Sequence, residues 1–362
     1  MNMTMTDTTT TTRLSHDGIA TIPIPKGWSR GSSQTLKRPY YFHRESKHTQ
    51  WHFPTPAEAS DPVGTKRRML EERALRHKSS STSTTNTTTT SNLSSIAIIV
   101  PYRDLHPTQN RAKHLHSFIP HMKSFLTELV TLNKIQDYHI YIIEQSDDQR
   151  KFNRGKLLNI GFDFALKRSE KHPPRHTIFI FHDVDLLPQA DLGNWYATYP
   201  TKPIHIARVW DRYSNNTKYF GGIVSFSESD MKRINGYPNT FWGWGGEDDE
   251  MQKRLETLNI QWDAPSEGTI VDLEDMDLPT KLGFLKQNKE WKCMVKWEAL
   301  DEHEKTWKRN GLSDLSYNIL KSSRLDQDDD GESKATMLTV DVKLNGNHWA
   351  NDKCGVDYLP QN

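Results

Sequence analysis

Three short apolar runs after residue 95, rich in β-branched and aromatic side chains, constrain the fold of this 362-residue chain more than any other feature. They span 96–100, 138–143 and 177–181, and the segments between them, about 109–132 and 152–168, have helical patterns. Strands that alternate with helices need crossover connections, which place the strands parallel in one sheet. The sequence therefore predicts an α/β fold with a mostly parallel central sheet, with 336–344 as a plausible late strand.

Composition divides the chain into four parts. Residues 1–18 are Thr-rich without apolar periodicity and are predicted to be disordered, whereas 19–56 form a compact aromatic module. Residues 57–95 hold a basic segment and a flexible tether, because fourteen of the seventeen residues at 79–95 are Ser or Thr. The remainder, 96–362, is predicted to be one large α/β domain.

Charge and hydropathy exclude several classes of partner. The chain has 47 Lys and Arg against 46 Asp and Glu, so its net charge of +1 does not favour nucleic acid, and its basic run 66–78 is most simply a solvated face. The longest apolar run, 96–100, is far shorter than the roughly 20 residues of a membrane helix, so no membrane span is expected. The N-terminus lacks a secretory signal pattern, and only two cysteines are present. We therefore expect a cytoplasmic location.

The aromatic module contains two tryptophans, Trp28 and Trp51, with the triplet Tyr40-Tyr41-Phe42 between them and Pro54 after the second. This pattern resembles a WW domain. The resemblance implies a three-stranded antiparallel sheet with one face packed as a core. It also implies that Tyr40 and Trp51 form an aromatic groove for a Pro-rich peptide, whose polyproline II helix loses little entropy on binding.

The third apolar run ends in Phe181-His-Asp-Val-Asp185, which puts Asp183 and Asp185 at the carboxyl end of a buried parallel strand. Open α/β sheets bind ligands at this edge. Two carboxylates there suit a hard divalent cation, Mn²⁺ or Mg²⁺, which can bridge a diphosphate and stabilise it as a leaving group. Asp-x-Asp also occurs in solvated turns, so the motif alone is weak.

Glycines, indoles and acids are concentrated in Phe241-Trp-Gly-Trp-Gly-Gly-Glu-Asp-Asp249, downstream of Tyr219-Phe-Gly-Gly222. Glycines permit close backbone approaches, and flat indoles suit the apolar face of a sugar ring. The sugar hydroxyls would need acceptors such as Glu247 and Asp249, and a carboxylate there could serve as a general base. The alternative is a Trp-rich core corner before an acidic helix N-terminus, which explains the charges but not the density of glycine and tryptophan.

These motifs, in this order, resemble the β-1,4-galactosyltransferase family over about residues 96–344. The resemblance implies a GT-A fold, a UDP-sugar donor, a carbohydrate acceptor, dependence on Mn²⁺ or Mg²⁺, and inversion at the anomeric carbon. The motifs that carry it are Phe152-Asn-Arg-Gly-Lys-Leu-Leu-Asn-Ile-Gly-Phe162, Phe181-His-Asp-Val-Asp-Leu-Leu-Pro188, Tyr219-Phe-Gly-Gly222, Asn235-Gly-Tyr-Pro-Asn239, Trp242-Gly-Trp-Gly-Gly-Glu-Asp-Asp249 and Asn310-Gly-Leu-Ser-Asp-Leu-Ser-Tyr317.

The resemblance also implies roles for individual residues. Asp248 matches the catalytic base, and Asp185 matches the metal-binding aspartate. The acceptor would be held by Trp242, Glu247 and Asp249. The donor would be bound by Pro101, Tyr102, Arg103, Arg111, Phe152, Arg154, Asp183, Tyr219, Gly222 and Trp244.

One departure from the family concerns the metal. Animal members complete the metal shell with a Met-x-x-His pair, but the matching window here, Ile270-Val-Asp-Leu-Glu-Asp-Met-Asp277, has no histidine. Glu274 and Asp277 are tentative substitutes, with Asp272 as a further candidate, because oxygen ligands satisfy Mn²⁺ and Mg²⁺. Alternatively, the metal site is weakened, or the acidic cluster is only a solvated loop.

The predicted function is transfer of galactose from UDP-galactose to a sugar hydroxyl, with the aromatic module recruiting a Pro-rich partner. Two alternatives stay open. The same chemistry could use another UDP-hexose, UDP-N-acetylgalactosamine or UDP-glucose, or the chain could be a catalytically inactive adaptor. The presence together of Arg154, Asp185, Trp244 and Asp248 argues against the adaptor.

Overall fold

The computed structural model divides the chain into two units, residues 1–90 and 91–362. It describes residues 24–32, 39–44, 48–50, 93–104, 109–213, 216, 218–274, 276–288, 291–325 and 333–345.

The first unit contains a three-stranded antiparallel sheet, as expected. Its strands are β1 (Trp28–Ser32), β2 (Pro39–His43) and β3 (His48–Gln50), in that order. Trp28 is buried, with its ring 5.3 Å from that of His43. Tyr40 lies in β2 opposite Gly31. Trp51, Pro54, the Thr-rich start and most of the tether lie outside the described residues, so the WW domain stays a prediction.

The second unit contains nine described strands: β4 (Ser95–Tyr102), β5 (Asp137–Gln145), β6 (His176–His182), β7 (Leu186–Pro188), β8 (Ile204–His205), β9 (Ile223–Phe226), β10 (Ile270–Asp272), β11 (Asn318–Arg324) and β12 (Ala335–Asp341). Seven of them form a mixed sheet in the order β11-β12-β5-β4-β6-β9-β8. The four central strands, β12, β5, β4 and β6, are parallel, whereas β11, β9 and β8 pair antiparallel at the edges. The other two, β7 and β10, form a separate antiparallel pair.

Eight α-helices belong to the described part of this unit, together with short 3-10 turns such as Asp211–Tyr213. The helices are α1 (Arg111–Thr131), α2 (Arg154–Lys171), α3 (Gly193–Ala197), α4 (Glu228–Arg233), α5 (Glu247–Thr257), α6 (Leu278–Gln287), α7 (Lys296–Asp301) and α8 (His303–Thr306). Over the ranges that the structure describes, none of these helices is both long and apolar enough to cross a membrane.

Both faces of the central sheet are buried, which explains why its strands are continuous apolar runs. Ile98 in β4 faces α1 and packs in one core with Phe118 and Met122. The next residue, Ile99, faces the opposite way and packs in a second core with Leu157 of α2 and Met251 of α5. The three predicted strands, the two predicted helices and the α/β class are therefore confirmed, and the antiparallel edges make the sheet mixed.

Candidate active site

A cleft of about 560 Å³ opens where the central parallel strands end, a size typical of small-molecule sites. It brings together most of the side chains that the sequence indicates. Those that line it are Pro101, Tyr102, Arg103, Arg111, Phe152, Arg154, Asp183, Asp185, Tyr219, Trp244, Glu247, Asp248, Asp249 and Glu274.

Asp183 follows the last residue of β6 and is tied to the cleft by Arg154, the first residue of α2. The Nε and Nη2 atoms of Arg154 both lie 2.8 Å from Oδ1 of Asp183, and its Nη1 donates to Oδ1 of Asp248 at 2.8 Å. Burial raises the pKa of the Asp183 carboxyl, and the opposing Arg154 charge does not fully offset this shift. One guanidinium thus links the end of the strand to the start of α5.

Asp185 forms a different ion pair. Its Oδ2 accepts from Nη1 of Arg111 at 2.6 Å, and Nη2 of the same Arg111 donates to Oε1 of Glu274 at 2.7 Å. Burial alone would raise the pKa of Asp185, but the charge and hydrogen bond of Arg111 outweigh it and lower the pKa to about 2. Asp185 is therefore ionised throughout the physiological range.

Glu274 forms ion pairs with three cationic side chains, two of which the sequence did not indicate. Besides Arg111, its carboxylate accepts from Arg212 Nη1 at 2.8 Å and from Lys281 Nζ at 2.7 Å. Burial and the nearby Asp185 raise the pKa of Glu274, but Arg111 and Lys281 lower it below its ordinary value. Arg212 is 62 residues and Lys281 seven residues from Glu274, and neither lies in a recognisable motif, so only the fold reveals the cluster.

The carboxylates of the acidic window at 270–277 have different roles. Asp272 forms an ion pair with Arg212, whose Nη2 lies 2.6 Å from its Oδ2, and it accepts a hydrogen bond from Trp210 Nε1 at 3.1 Å. Asp277 is exposed, lies outside the cleft lining and accepts from the Thr280 amide at 2.8 Å as the N-cap of α6. The tentative assignment of Asp277 as a metal ligand is therefore corrected: its carboxylate serves the helix end instead.

The donor set that remains for a metal consists of carboxylates. Within the described ranges, no group of three or more His, Cys, Asp and Glu side chains is arranged to hold an ion. Asp185 and Glu274 nevertheless share one cation, the Arg111 guanidinium, and both are largely buried. Mg²⁺ or Mn²⁺ can be held by two carboxylates, with substrate phosphates and water completing the coordination of the metal. Asp185 and Glu274 therefore fit a divalent cation.

Asp248 lies in the first turn of α5, after a sharp backbone reversal at Gly246. Gly246 has φ 108°, and a Cβ there would overlap the ring of Phe241, so glycine is required. Burial raises the pKa of Asp248 well above its ordinary value, and the neighbouring Glu247 adds to this shift, while Arg154 opposes it. A carboxyl group with a raised pKa is suited to accept a proton.

Two further contacts involve residues next to Asp248 and the segment around Tyr219. The Asp248 carboxylate lies so close to Gly221 that a Cβ at that position would overlap it. Tyr219 stacks on Tyr213, with ring centres 4.0 Å apart and planes 19° apart. The stacked pair provides a flat wall beside the carboxylates.

The two tryptophans of the glycine-rich loop have opposite environments. Trp242 is fully buried in the core, and neither Trp242 nor Gly222 lines the cleft, so the structure places Trp242 away from the acceptor position that the sequence suggested. Trp244 is exposed at the cleft mouth. Its backbone N–H donates to the Trp291 carbonyl at 2.6 Å, and the Cys293 N–H donates to its carbonyl at 3.1 Å.

The segment at 237–239, just before the glycine-rich loop, is held by buried asparagines that sequence reasoning also missed. Asn159 of α2 donates to the Tyr237 carbonyl at 2.7 Å, and Asn153 donates to the Asn239 carbonyl at 2.7 Å. Asn239 in turn donates to the Gly311 carbonyl at 2.7 Å. All three lie within the quoted motifs, and their amides fix this segment against the start of α2 and against Gly311.

Two family models match the chain. The N-terminal region of glycosyl transferase group 7 matches residues 64–198, and the N-terminal domain of galactosyltransferase matches residues 201–276. Together these matches cover more than half of the chain.

Curated relatives agree with the family models. Beta-1,4-galactosyltransferase 4 of Mus musculus is 33% identical over 229 residues, which are 63% of this chain and 60% of the relative. Beta-1,4-galactosyltransferase 1 of Homo sapiens is 32% identical over 250 residues, which are 68% of this chain and 54% of the relative. The chain thus spans less than two thirds of either relative.

One solved structure has the same fold at low sequence identity. It is a mutant of Drosophila β-1,4-galactosyltransferase 7 in complex with manganese, UDP-Gal and xylobiose. The two chains are 26% identical with a TM-score of 0.53, over 72% of this chain and 98% of that one.

Proposed function

Because the chain belongs to the glycosyltransferase group 7 family, we propose that it transfers galactose from UDP-galactose to a hydroxyl group of a carbohydrate acceptor, with inversion at the anomeric carbon. One observation carries the proposal. Arg154 places the Asp248 carboxylate in the same cleft as the cluster of Asp185, Arg111 and Glu274. The cleft therefore contains both a base for the acceptor hydroxyl and cationic groups for a diphosphate.

In the proposed reaction, Asp248 takes the proton from an acceptor hydroxyl. The acceptor oxygen forms a bond to the anomeric carbon as the bond from that carbon to the diphosphate breaks, and UDP leaves with the electron pair. The raised pKa of Asp248 favours this proton transfer near neutral pH. Arg111, Arg154 and Arg212 offer guanidinium groups that suit phosphate oxygens.

The same proposal includes Mn²⁺, or Mg²⁺, held by Asp185 and Glu274. When bound, the cation supplies charge stabilisation for the departing diphosphate. The carboxylate chemistry of this pair and the manganese in the related Drosophila structure support the assignment. Lys281 and Arg212 would continue to neutralise Glu274 and so keep its carboxylate in position.

The decisive experiment measures UDP release from UDP-galactose, UDP-N-acetylgalactosamine and UDP-glucose, with and without Mn²⁺, over a panel of simple sugars. We expect Mn²⁺-dependent turnover with UDP-galactose and a loss of about 10³-fold in kcat for Asp248→Asn, which is the range of general-base catalysis. The variant should still bind UDP in calorimetry.

Three outcomes would change the conclusion. Faster turnover with another UDP-hexose would change the donor. A fully active Asp248→Asn variant would remove Asp248 as the base. No turnover together with no binding of UDP and Mn²⁺ would favour an inactive adaptor.

For the first unit, we propose a WW domain that binds a Pro-rich partner. The three antiparallel strands and the buried Trp28 support it. In a fluorescence titration of the full chain with a polyproline peptide, we expect saturable binding that Trp51→Ala abolishes. Equal binding by the variant would contradict the proposal.

A further inference from the structure

A second pocket, of about 270 Å³, lies at the opposite end of the central strands from the cleft. Its lining includes Asp137 and His176, which are the first residues of β5 and β6. The cleft lies where these strands end, and a nine-residue strand such as β5 spans roughly 25 Å, so the two sites are separate. We call the second site the strand-start pocket.

Two arginines from different elements line the strand-start pocket. Arg168 lies in the last turn of α2, and Arg324 is the last residue of β11. Within the described residues, neither guanidinium forms an ion pair, and Arg168 makes one long hydrogen bond, of 3.5 Å, to the hydroxyl of Tyr141. Both positive charges therefore remain without a carboxylate partner in the part of the chain that the structure describes.

The other charged groups of the pocket offset each other. Among its described lining residues, Asp137 is the sole acid, and its Oδ1 accepts from Nζ of Lys334 at 2.9 Å. His176 adds no charge at neutral pH, because burial lowers its pKa to about 4. Arg168 and Arg324 thus give the lining an excess of two positive charges.

The helix dipole explains only part of this arrangement. A cation in the last turn of a helix is favoured by the dipole, which accounts for Arg168. Arg324 comes from β11, the edge strand of the sheet, and has no helix end to stabilise. What the two arginines share is the pocket that both of them line.

We propose that the strand-start pocket binds a phosphate group, free or carried by a small molecule, between Arg168 and Arg324. Guanidinium groups offer paired N–H donors that match phosphate oxygens, and two of them balance the charge of a phosphate dianion. The volume of the pocket is below the range typical of drug-sized ligands, which favours a small anion. The inference goes beyond the proposed function and does not depend on it.

Equilibrium dialysis of the full chain with radiolabelled inorganic phosphate tests the inference. Excess UDP is present, so that it competes for the cationic groups of the cleft. We expect saturable binding of a single phosphate per chain. Arg168→Gln and Arg324→Gln should each weaken binding about tenfold, and the double variant about 100-fold, which is the size of effect expected for losing charged hydrogen-bond donors.

Competition with glucose 6-phosphate, unlabelled phosphate and glucose identifies the source of the phosphate group. Displacement of the label by glucose 6-phosphate at a lower concentration than by phosphate would support a phosphorylated small molecule as the ligand. Equal or weaker displacement would support free phosphate. Glucose should displace no label, and displacement by glucose would contradict recognition of a phosphate group.

The matched control is the double variant Lys171→Gln, Arg175→Gln, which removes two exposed cations that are close in sequence to the pocket but outside its lining. It should bind phosphate as the wild type does, and thermal unfolding should show that both double variants are folded.

Three results would overturn the inference. They are the absence of saturable binding by the wild type, full affinity in the double variant of Arg168 and Arg324, and an equal loss in the matched control. The first result would follow if the five acids of 326–332, which lie in sequence between Arg324 and Lys334 and outside the described residues, neutralised the arginines. None of these results bears on the proposed transfer of galactose.

Discussion

Arg154 donates a hydrogen bond of 2.8 Å from Nη1 to Oδ1 of Asp248, across 94 residues of sequence. The same guanidinium pairs with Asp183 at 2.8 Å and approaches Glu247 at 3.5 Å. Burial of these carboxylates is tolerable because one shared cation compensates for it. The base of the proposed reaction is thus oriented before any substrate arrives.

Replacing Arg154 should impair both binding and catalysis. In Arg154→Gln, Asp183 and Asp248 lose their shared cation, and we expect kcat/KM to fall about 100-fold, within the range for removing one partner of a buried charge pair. The acid limb of the profile of kcat/KM against pH should move to higher pH, because the loss of a positive neighbour raises the pKa of Asp248 further. Arg175→Gln, which breaks an exposed pair with Glu228, is the control. An unshifted acid limb would contradict the role given to Arg154.

Gly221→Ala tests the close approach of Asp248. An added Cβ would overlap the end of the Asp248 side chain rather than the backbone, so the carboxylate should rotate away while the fold persists. We expect kcat to fall about 100-fold, because small misplacements of catalytic groups have effects of this size. The midpoint of thermal unfolding should change little. A large drop in the unfolding midpoint, or full activity, would show that the contact does not position the base.

The metal assignment separates Asp185 and Glu274 from Asp277. In calorimetric titrations of Mn²⁺ in the presence of UDP, Asp185→Asn should abolish metal binding, and Glu274→Gln should weaken it. Asp277→Asn should bind as the wild type does, because the Asp277 carboxylate caps α6 outside the cleft. Equal losses in Asp185→Asn and Asp277→Asn would disprove this placement.

Asp272 makes stability depend on pH. Burial raises the pKa of its carboxyl to about 6 in spite of Arg212, compared with an unfolded value of about 3.9. The fold therefore binds this proton more tightly than the unfolded chain, so the contribution of Asp272 to the free energy of unfolding is greatest below pH 4 and declines as pH rises to 6.

Urea unfolding at several pH values gives the free energy of unfolding of the wild type and of Asp272→Asn. The difference between the two free energies measures the contribution of Asp272. The wild type should lose stability relative to the variant between about pH 4 and pH 6, and the difference should be constant above about pH 7. A difference that does not vary with pH, or that varies with the opposite sign, would rule out the raised pKa.

Much of the scaffold was predictable because local pattern and burial agree. The runs at 96–100, 138–143 and 177–181 became β4, β5 and β6, since strands buried on both faces must be apolar throughout. The position of Asp183 and Asp185 at a strand end followed from the same pattern.

The cation cluster was not predictable, because its contacts are set by the fold. Arg111 meets Asp185 across 74 residues, and Arg212 meets Glu274 across 62 residues. A charged residue in sequence does not indicate its partner, since ion pairs of this kind are side-chain contacts between distant elements.

Trp242 and Trp244 show which properties follow from the sequence and which depend on the tertiary structure. The sequence by itself determined that indoles, glycines and acids share one loop after a parallel sheet, because composition and spacing are local properties. Only the tertiary structure decided that Trp242 is buried and Trp244 faces the cleft. The glycines between and after them, Gly243 and Gly245, have φ of 87° and 95°, and a backbone in that region has no periodicity from which side-chain direction can be inferred.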